Sequence, residues 1–336
     1  MIAFIIRRLL TAVLLLVVIS AVTFAIFFLL PRAAGMTTDQ LAARFAGKAP
    51  DHPTLVAIEE RYGFNKPVPV QYYNFMRGIV LGGKYDTGAR VIDCPAPCLG
   101  YSFRTNVPVL QSVLQRAPVT FSIAAGGAVL WLVSGISIGV LSALRRGTFF
   151  DRLTMGTALV GVSLPIFFTG LLAQTFVVFK WGLWPQADYA PLTQDPVQWF
   201  ESLVLPWITL SFLYAALYAR LTRAGMLDTM NEDYIRTARA KGLPERTVIV
   251  RHALRASLTP ILTVFGLDLG LLLGGAVLTE KTFSMHGLGA LAIDGVVQSD
   301  LPVVVGVTMI GALFVVLANL VVDVLYAVVD PRVRLD

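Results

Sequence analysis

Asp233-Tyr-Ile-Arg-Thr-Ala-Arg-Ala-Lys-Gly-Leu243 is a short polar run, rich in small residues, between two strongly apolar segments. Tyr234 to Lys241 reads as a short helix in which Thr237, Ala238 and Ala240 sit among the charges. Gly242 stands where a left-handed residue ends such a helix. Pro244 suits the first turn of a second helix, and Glu245 suits its positive end. Pro260 is expected to break that second helix before the next apolar segment. Residues 233–260 therefore predict a helix–turn–helix elbow projecting from an apolar body.

Composition says what that body is. Of 336 residues 56% are hydrophobic and 14% charged, with a mean hydropathy of +0.72, whereas soluble domains carry about 25% charged residues. The chain belongs in a bilayer. Six apolar stretches stand out, at 9–30, 119–143, 153–179, 203–219, 261–279 and 302–328. Lipid offers no partner to a backbone N–H or C=O, so these stretches predict helices and an all-α integral membrane protein. The first follows Arg7 and Arg8. It is too long for a cleaved signal and long enough for a hydrocarbon core of about 30 Å, so it reads as a retained span.

The net charge of +6 does not point to nucleic acid, because the basic residues cluster beside the apolar stretches. Arg145, Arg146 and Arg152 mark one connection as cytoplasmic, Arg220 to Arg255 mark another, and Arg332 and Arg334 place the C-terminus inside. Residues 181–200 contain no Lys or Arg and read as external. The alternation gives six spans with both termini in the cytoplasm. Residues 31–118 then form an extracytoplasmic cap segment, with a helical stretch from Leu55 to Arg61 stopped at Gly63 and turns at Gly82-Gly83 and Cys94–Cys98. Cys94 and Cys98 lie outside, where disulfides persist, so a disulfide is favoured over two free thiols. The three histidines are scattered, and no metal site is expected.

Several motifs fail on context. Gly135-Ile-Ser-Ile-Gly139 matches an esterase elbow but lies inside an apolar stretch, where small residues serve close helix packing. Gly287-Leu-Gly289 follows a membrane helix and not a strand, which excludes a dinucleotide fingerprint and suggests a tight external turn. There is no phosphate-binding G-x-x-x-x-G-K-[ST] loop and no H-E-x-x-H, so no catalytic residue or cofactor site is expected. Two polar residues sit within spans. Asp268 either lines a path, attracting an ammonium group, or bridges helices by a hydrogen bond, and Gln174 poses the same choice.

The chain resembles the permeases of oligopeptide and dipeptide ATP-binding-cassette importers. Arg220-Leu-Thr-Arg-Ala-Gly-Met-Leu-Asp228, Asp233 to Leu243 and Arg251-His-Ala-Leu-Arg255 carry the likeness. So do Thr279-Glu-Lys-Thr-Phe-Ser284 before Gly287-Leu-Gly289, Ser163-Leu-Pro165, Leu99 to Thr105, and Val322 to Arg332. The N-terminal span resembles that of the first of two paired permease subunits. An insertion around Lys84 to Pro97 departs from the pattern, as does Arg236-Thr237-Ala238 where the generic motif has Glu-Ala-Ala.

The resemblance implies a type I importer permease with six transmembrane helices, in a bacterial inner membrane. Residues 1–30 would be its first helix, 31–118 its cap, and 119–336 a five-helix core with a coupling segment at 233–260. Implied partners are a homologous permease, two cytoplasmic ATPases that bind ATP and Mg, an extracytoplasmic binding protein, a peptide substrate and membrane lipid. Asp233, Tyr234, Arg236, Thr237, Ala238, Lys241 and Gly242 would form the ATPase-coupling contact. Phe283, Ser284, His286 and Gly287 would belong to the outer gate, and Asp268 and Gln174 to the substrate path. Nickel chelates, glutathione or oligosaccharides are alternative substrates. A proton-coupled secondary transporter using Asp268 is the rival class.

Overall fold

Lipid turns apolar runs into helices, and among its described residues the computed structural model has five helices long and apolar enough to cross a membrane: Leu10–Ala33, Val109–Leu144, Pro196–Met230, Glu245–Leu273 and Leu301–Val322. The bent pair Phe149–Ser163 and Ile166–Lys180, which turns by 101° at its break, makes a sixth crossing when its two helices are taken as one span, and is called the third span here. The structure describes residues 2–46, 52–62, 64, 66–86, 91–102, 104–274 and 276–329. Gly63 and the closing residues with Arg332 and Arg334 lie outside these.

The proline readings need correction. Pro260 does not break its helix, and Arg255–Leu273 runs through it, as the second and fourth spans run through Pro118 and Pro206. Burial does not set them apart, since Pro206 is buried while Pro118 and Pro260 are exposed; each removes one backbone bond, which a membrane helix tolerates. Pro165 does break the third span, because Leu164 before it adopts an extended conformation, ψ 127°. The second and fourth spans also outrun their apolar stretches, starting at Val109 and Pro196. Hydropathy marks the part in lipid and not the full helix.

The cap segment adds helices Thr38–Ala46, His52–Tyr62 and Val68–Leu81. Two antiparallel hairpins follow, Gly83–Asp86 with Val91–Cys94 and Tyr101–Ser102 with Val107–Pro108. Cys94 and Cys98 form a disulfide with Cα atoms 5.6 Å apart. The cap segment packs Leu41, Ala42 and Ile58 of its helices, with Phe64 from the turn after the second, onto Phe24 and Phe28 of the first span and Leu301 and Val305 of the last.

The central core joins the second, fourth and fifth spans through Ile123, Trp131, Leu210, Tyr218 and Ile261, all nearly inaccessible. The second and fourth spans touch along the glycines of the failed esterase motif. A Cβ on Gly139 would lie 2.6 Å from the Ala219 carbonyl oxygen, and one on Gly135 would lie 2.7 Å from Tyr218 Cβ. Both positions are open only to a residue without a side chain. The bundle has a basic end, with Arg145, Arg146, Arg220 and residues 233–255, and a cap end, with residues 31–108 and 277–300.

Candidate functional site

At the basic end the fourth span ends at Met230, and a separate helix, Asp233–Ala240, follows. Two of its residues three apart, Ile235 and Ala238, are buried with Ala143, Met226, Val248 and Ala253. Ala238, read from sequence as a contact for a partner, is thus turned into the chain's own core. Asp233, Tyr234, Arg236, Thr237 and Lys241 are exposed. Gly242 has φ +76°, the left-handed conformation. Its N–H bonds the Arg239 carbonyl at 2.9 Å, and the Leu243 N–H bonds the Ala238 carbonyl at 3.4 Å, the pair of bonds that closes a helix C-terminus. Arg239 and Glu245 bridge the turn at 2.7 Å. Pro244 then leads into Glu245–Thr247. The result is a fixed, exposed helix and turn.

Beside this elbow lies a cluster that the sequence reading missed. Asp151, 4% exposed, accepts from Arg223 Nε at 2.6 Å and Nη2 at 2.8 Å, from Gly147 N–H at 2.9 Å, and from the Ser142 hydroxyl. One carboxylate thereby binds the end of the second span, the 145–148 turn, the start of the third span and the fourth span. The available signal was Thr148-x-x-Asp151, a capping pattern in which Thr148 caps the helix. Its partner Arg223 is 72 positions away and had been counted only as a positive charge.

In mid-bundle, Asp268 Oδ2 accepts from Tyr218 OH at 2.8 Å, tying the fifth span to the fourth. Among the described residues Asp268 Oδ1 has no hydrogen bond, and the residue is half-buried. Aromatic rings surround Tyr218: Trp131 stacks on Tyr214 at 4.7 Å and lies 6.3 Å from both Tyr218 and Phe265. Gln174, half-buried in the third span, has no hydrogen bond among the described residues, and none joins it to Asp268.

At the cap end the four gate candidates fall on a turn between helices Val277–Thr282 and Leu288–Val297. Ser284 (φ 54°) and His286 are exposed, while Phe283 is half-buried near Gly170 of the third span. Gly287 is buried, and a Cβ there would fall 2.3 Å from the Glu280 carboxyl carbon. Glu280 was not singled out, yet it is the centre of this turn and wholly inaccessible. Its Oε1 accepts from Thr120 Oγ1 at 2.7 Å and its Oε2 from Ala290 N–H at 2.8 Å, while Thr120 Oγ1 accepts from Leu288 N–H at 2.8 Å. Burial pushes the Glu280 carboxyl above the usual glutamate range, and these hydrogen bonds pull it part of the way back. Asp294 goes the other way: burial would raise it, but Lys281 at 2.6 Å and Arg116 at 3.5 Å outweigh burial and hold it down. Among the described residues no group of three or more His, Cys, Asp or Glu could hold a metal ion.

A membrane bundle with an exposed, rigid elbow at one end and a bonded turn at the other has the form of a transport-system membrane component. Family models agree: residues 135–335 match the binding-protein-dependent transport system inner membrane component, and residues 1–124 match its N-terminal part. The chain belongs to this family. It is 36% identical over 337 residues, all of both chains, to a peptide transport system permease of Brucella abortus. It is also 36% identical over 358 residues, 99% of each chain, to the dipeptide transport system permease protein DppB of Escherichia coli K12. It is 35% identical over 331 residues, 98% of this chain, to a peptide ABC transporter permease of Sinorhizobium fredii. The chain is a multi-pass membrane permease.

Proposed function

We propose that this chain is one of two homologous permease subunits of an ATP-driven peptide importer in the bacterial inner membrane, with both termini in the cytoplasm. The peptide substrate follows from the names of the full-length relatives. The observation that carries the coupling role is the Asp233–Gly242 helix and turn, exposed on one face and anchored on the other by Ile235 and Ala238. Two cytoplasmic ATPases bind ATP and Mg and grip this elbow through Asp233, Tyr234, Arg236, Thr237, Lys241 and Gly242. Ala238 acts by holding the helix to its base. Thr237 and Ala240, small and exposed among the charged side chains, let such a helix approach a groove. This chain hydrolyses nothing itself. An extracytoplasmic binding protein delivers peptide to the cap end, where Phe283, Ser284, His286 and Gly287 form the gate.

Asp268 and Gln174 line the path, and the free Asp268 oxygen meets a peptide's cationic group. Asp268→Asn is expected to weaken uptake of lysine-bearing peptides roughly fivefold relative to neutral ones, the size of about 1 kcal/mol for a solvated ion pair. Equal kinetics for both peptide classes would remove Asp268 from the path. Gly242→Val must hold a β-branched residue at positive φ, a strain of about 1–2 kcal/mol. In proteoliposomes with the second permease, both ATPases and the binding protein, this variant is expected to assemble and hydrolyse ATP without accumulating peptide. Normal accumulation would sink the coupling-turn role. Assembly without peptide uptake by the unaltered chain would redirect the substrate to nickel chelates, glutathione or oligosaccharides. Uptake that ran without ATPases and collapsed with the proton gradient would mean a secondary transporter.

A further inference from the structure

A cavity of about 460 Å³ lies away from all of these sites, between the first span, the cap helix Val68–Leu81 and the start of the last span. Its volume falls within the roughly 300–1,000 Å³ of small-molecule sites. Phe24, Phe28, Phe75 and Val305 give it an apolar floor. Among the described residues its lining also contains two cations, Arg77 and Lys84, and no acidic residue. Lys84 has a 3.7 Å contact to Asp93, with both side chains about three-quarters exposed, so that pair neutralises little. Among the described residues Arg77 has neither an ion pair nor a hydrogen bond, and it is exposed.

Depth along the membrane decides what such a cavity meets. At 1.5 Å per residue, the helix from Arg7 to Phe28 rises roughly 32 Å, close to the hydrocarbon thickness of about 30 Å. If Arg7 sits at one interface, Phe28 sits at the other, which places the cavity at headgroup level. The face of the first span that carries Phe24 continues deeper through Val17, Val13 and Leu10, seven, eleven and fourteen residues earlier. These are 41%, 58% and 66% exposed and form an apolar strip that acyl chains can cover. A cation pair at headgroup level, above an apolar floor and strip, is complementary to an anionic amphiphile.

We propose that this cavity holds the phosphate headgroup of an anionic phospholipid from the cap-side leaflet, with Arg77 as its principal contact and Lys84 as a second. The lipid would mortar the first span and the cap to the last span. The claim does not depend on what the permease transports.

The test uses the intact transport complex, purified in mild detergent and exposed to equal amounts of phosphatidylglycerol and phosphatidylcholine of matched chains. Native mass spectrometry then reads the lipid retained. Phosphatidylglycerol is expected to be retained preferentially. Arg77→Gln should reduce that retention about fivefold, the effect of one basic residue at an anionic surface, and Arg77→Lys should preserve most of it. Equal retention of the two lipids, or retention unchanged in Arg77→Gln, would overturn the proposal. So would displacement of phosphatidylglycerol by equimolar inorganic phosphate, which would assign the cations to a soluble anion. Arg77 is exposed and unpartnered, so the variant's folding is not at stake, and assembly of the complex verifies it.

Discussion

Asp151 at the basic end and Glu280 at the cap end are both enclosed carboxylates, held in opposite ways. Asp151 faces a guanidinium that grips both of its oxygens, and Gly147 N–H and the Ser142 hydroxyl occupy the rest. Among the described residues no cation pairs with Glu280. A hydroxyl and the backbone N–H groups opening helix Leu288–Val297 hold it, and a helix N-terminus carries only a partial positive charge. The basic end is therefore locked by a compensated ion pair between the third and fourth spans, with the Ser142 hydroxyl tying in the second. The cap end is closed by dipoles around a group that can still take up a proton. On the proposed roles, an elbow that transmits force would gain from the first arrangement and a gate turn from the second.

The sharpest break in this comparison is Arg223→Ala. It leaves Asp151 enclosed without its cation, and removing one partner of a buried pair typically destabilises by about 3–5 kcal/mol. The Arg223 side chain keeps 23% exposure against 6% for the Asp151 side chain, so the lower end of that range is expected. Thermal unfolding of the detergent-solubilised protein would measure it. The double variant Asp151→Asn with Arg223→Met, which removes both charges and keeps the volume, should recover most of the loss. Equal damage in the single and double variants would mean that packing, and not charge compensation, holds this corner.

Thr120→Val probes the other end with a smaller effect. It strips Glu280 of a donor and the Leu288 N–H of its acceptor. A buried polar group left unmade costs about 1–3 kcal/mol. The same unfolding measurement should show a loss in that range. No loss would mean that the turn is held by packing around Gly287 and Gly289.

These two carboxylates also mark the limit of what the sequence tells. The spans were legible because lipid permits few alternatives to a helix. The Gly242 turn was legible because its cause is local: a left-handed residue, then a proline. Asp151 and Glu280 were not, because their partners Arg223 and Thr120 lie 72 and 160 positions away. Nothing near Glu280 in the chain says that it will be enclosed. Pro260 misled because a proline removes one backbone bond without by itself ending a membrane helix: Pro118, Pro206 and Pro260 all lie inside helices, whereas Pro165 follows the extended Leu164 at a break.

The smallest expected effect separates the two ends most cleanly, because it depends on protonation alone. Burial raises the Glu280 carboxyl above its ordinary value of 4.5. The folded protein thus holds this proton more tightly than the unfolded chain. Its contribution to stability is complete below about 4.5 and is lost as pH rises through the folded value. Glu280→Gln removes the titration and keeps a contact to both partners: the amide oxygen can accept from Ala290 N–H, and the amide nitrogen can donate to Thr120 Oγ1, reversing the bond that the Thr120 hydroxyl makes to Glu280. The difference in unfolding temperature between the variant and the unaltered protein should therefore grow in the variant's favour from pH 4.5 to pH 7. Asp300, which burial also raises, and Asp294, which Lys281 and Arg116 lower, are present in both proteins and cancel from the difference. A difference that stays flat with pH would mean that Glu280 is as fully compensated as Asp151, and the contrast between the two ends would fail.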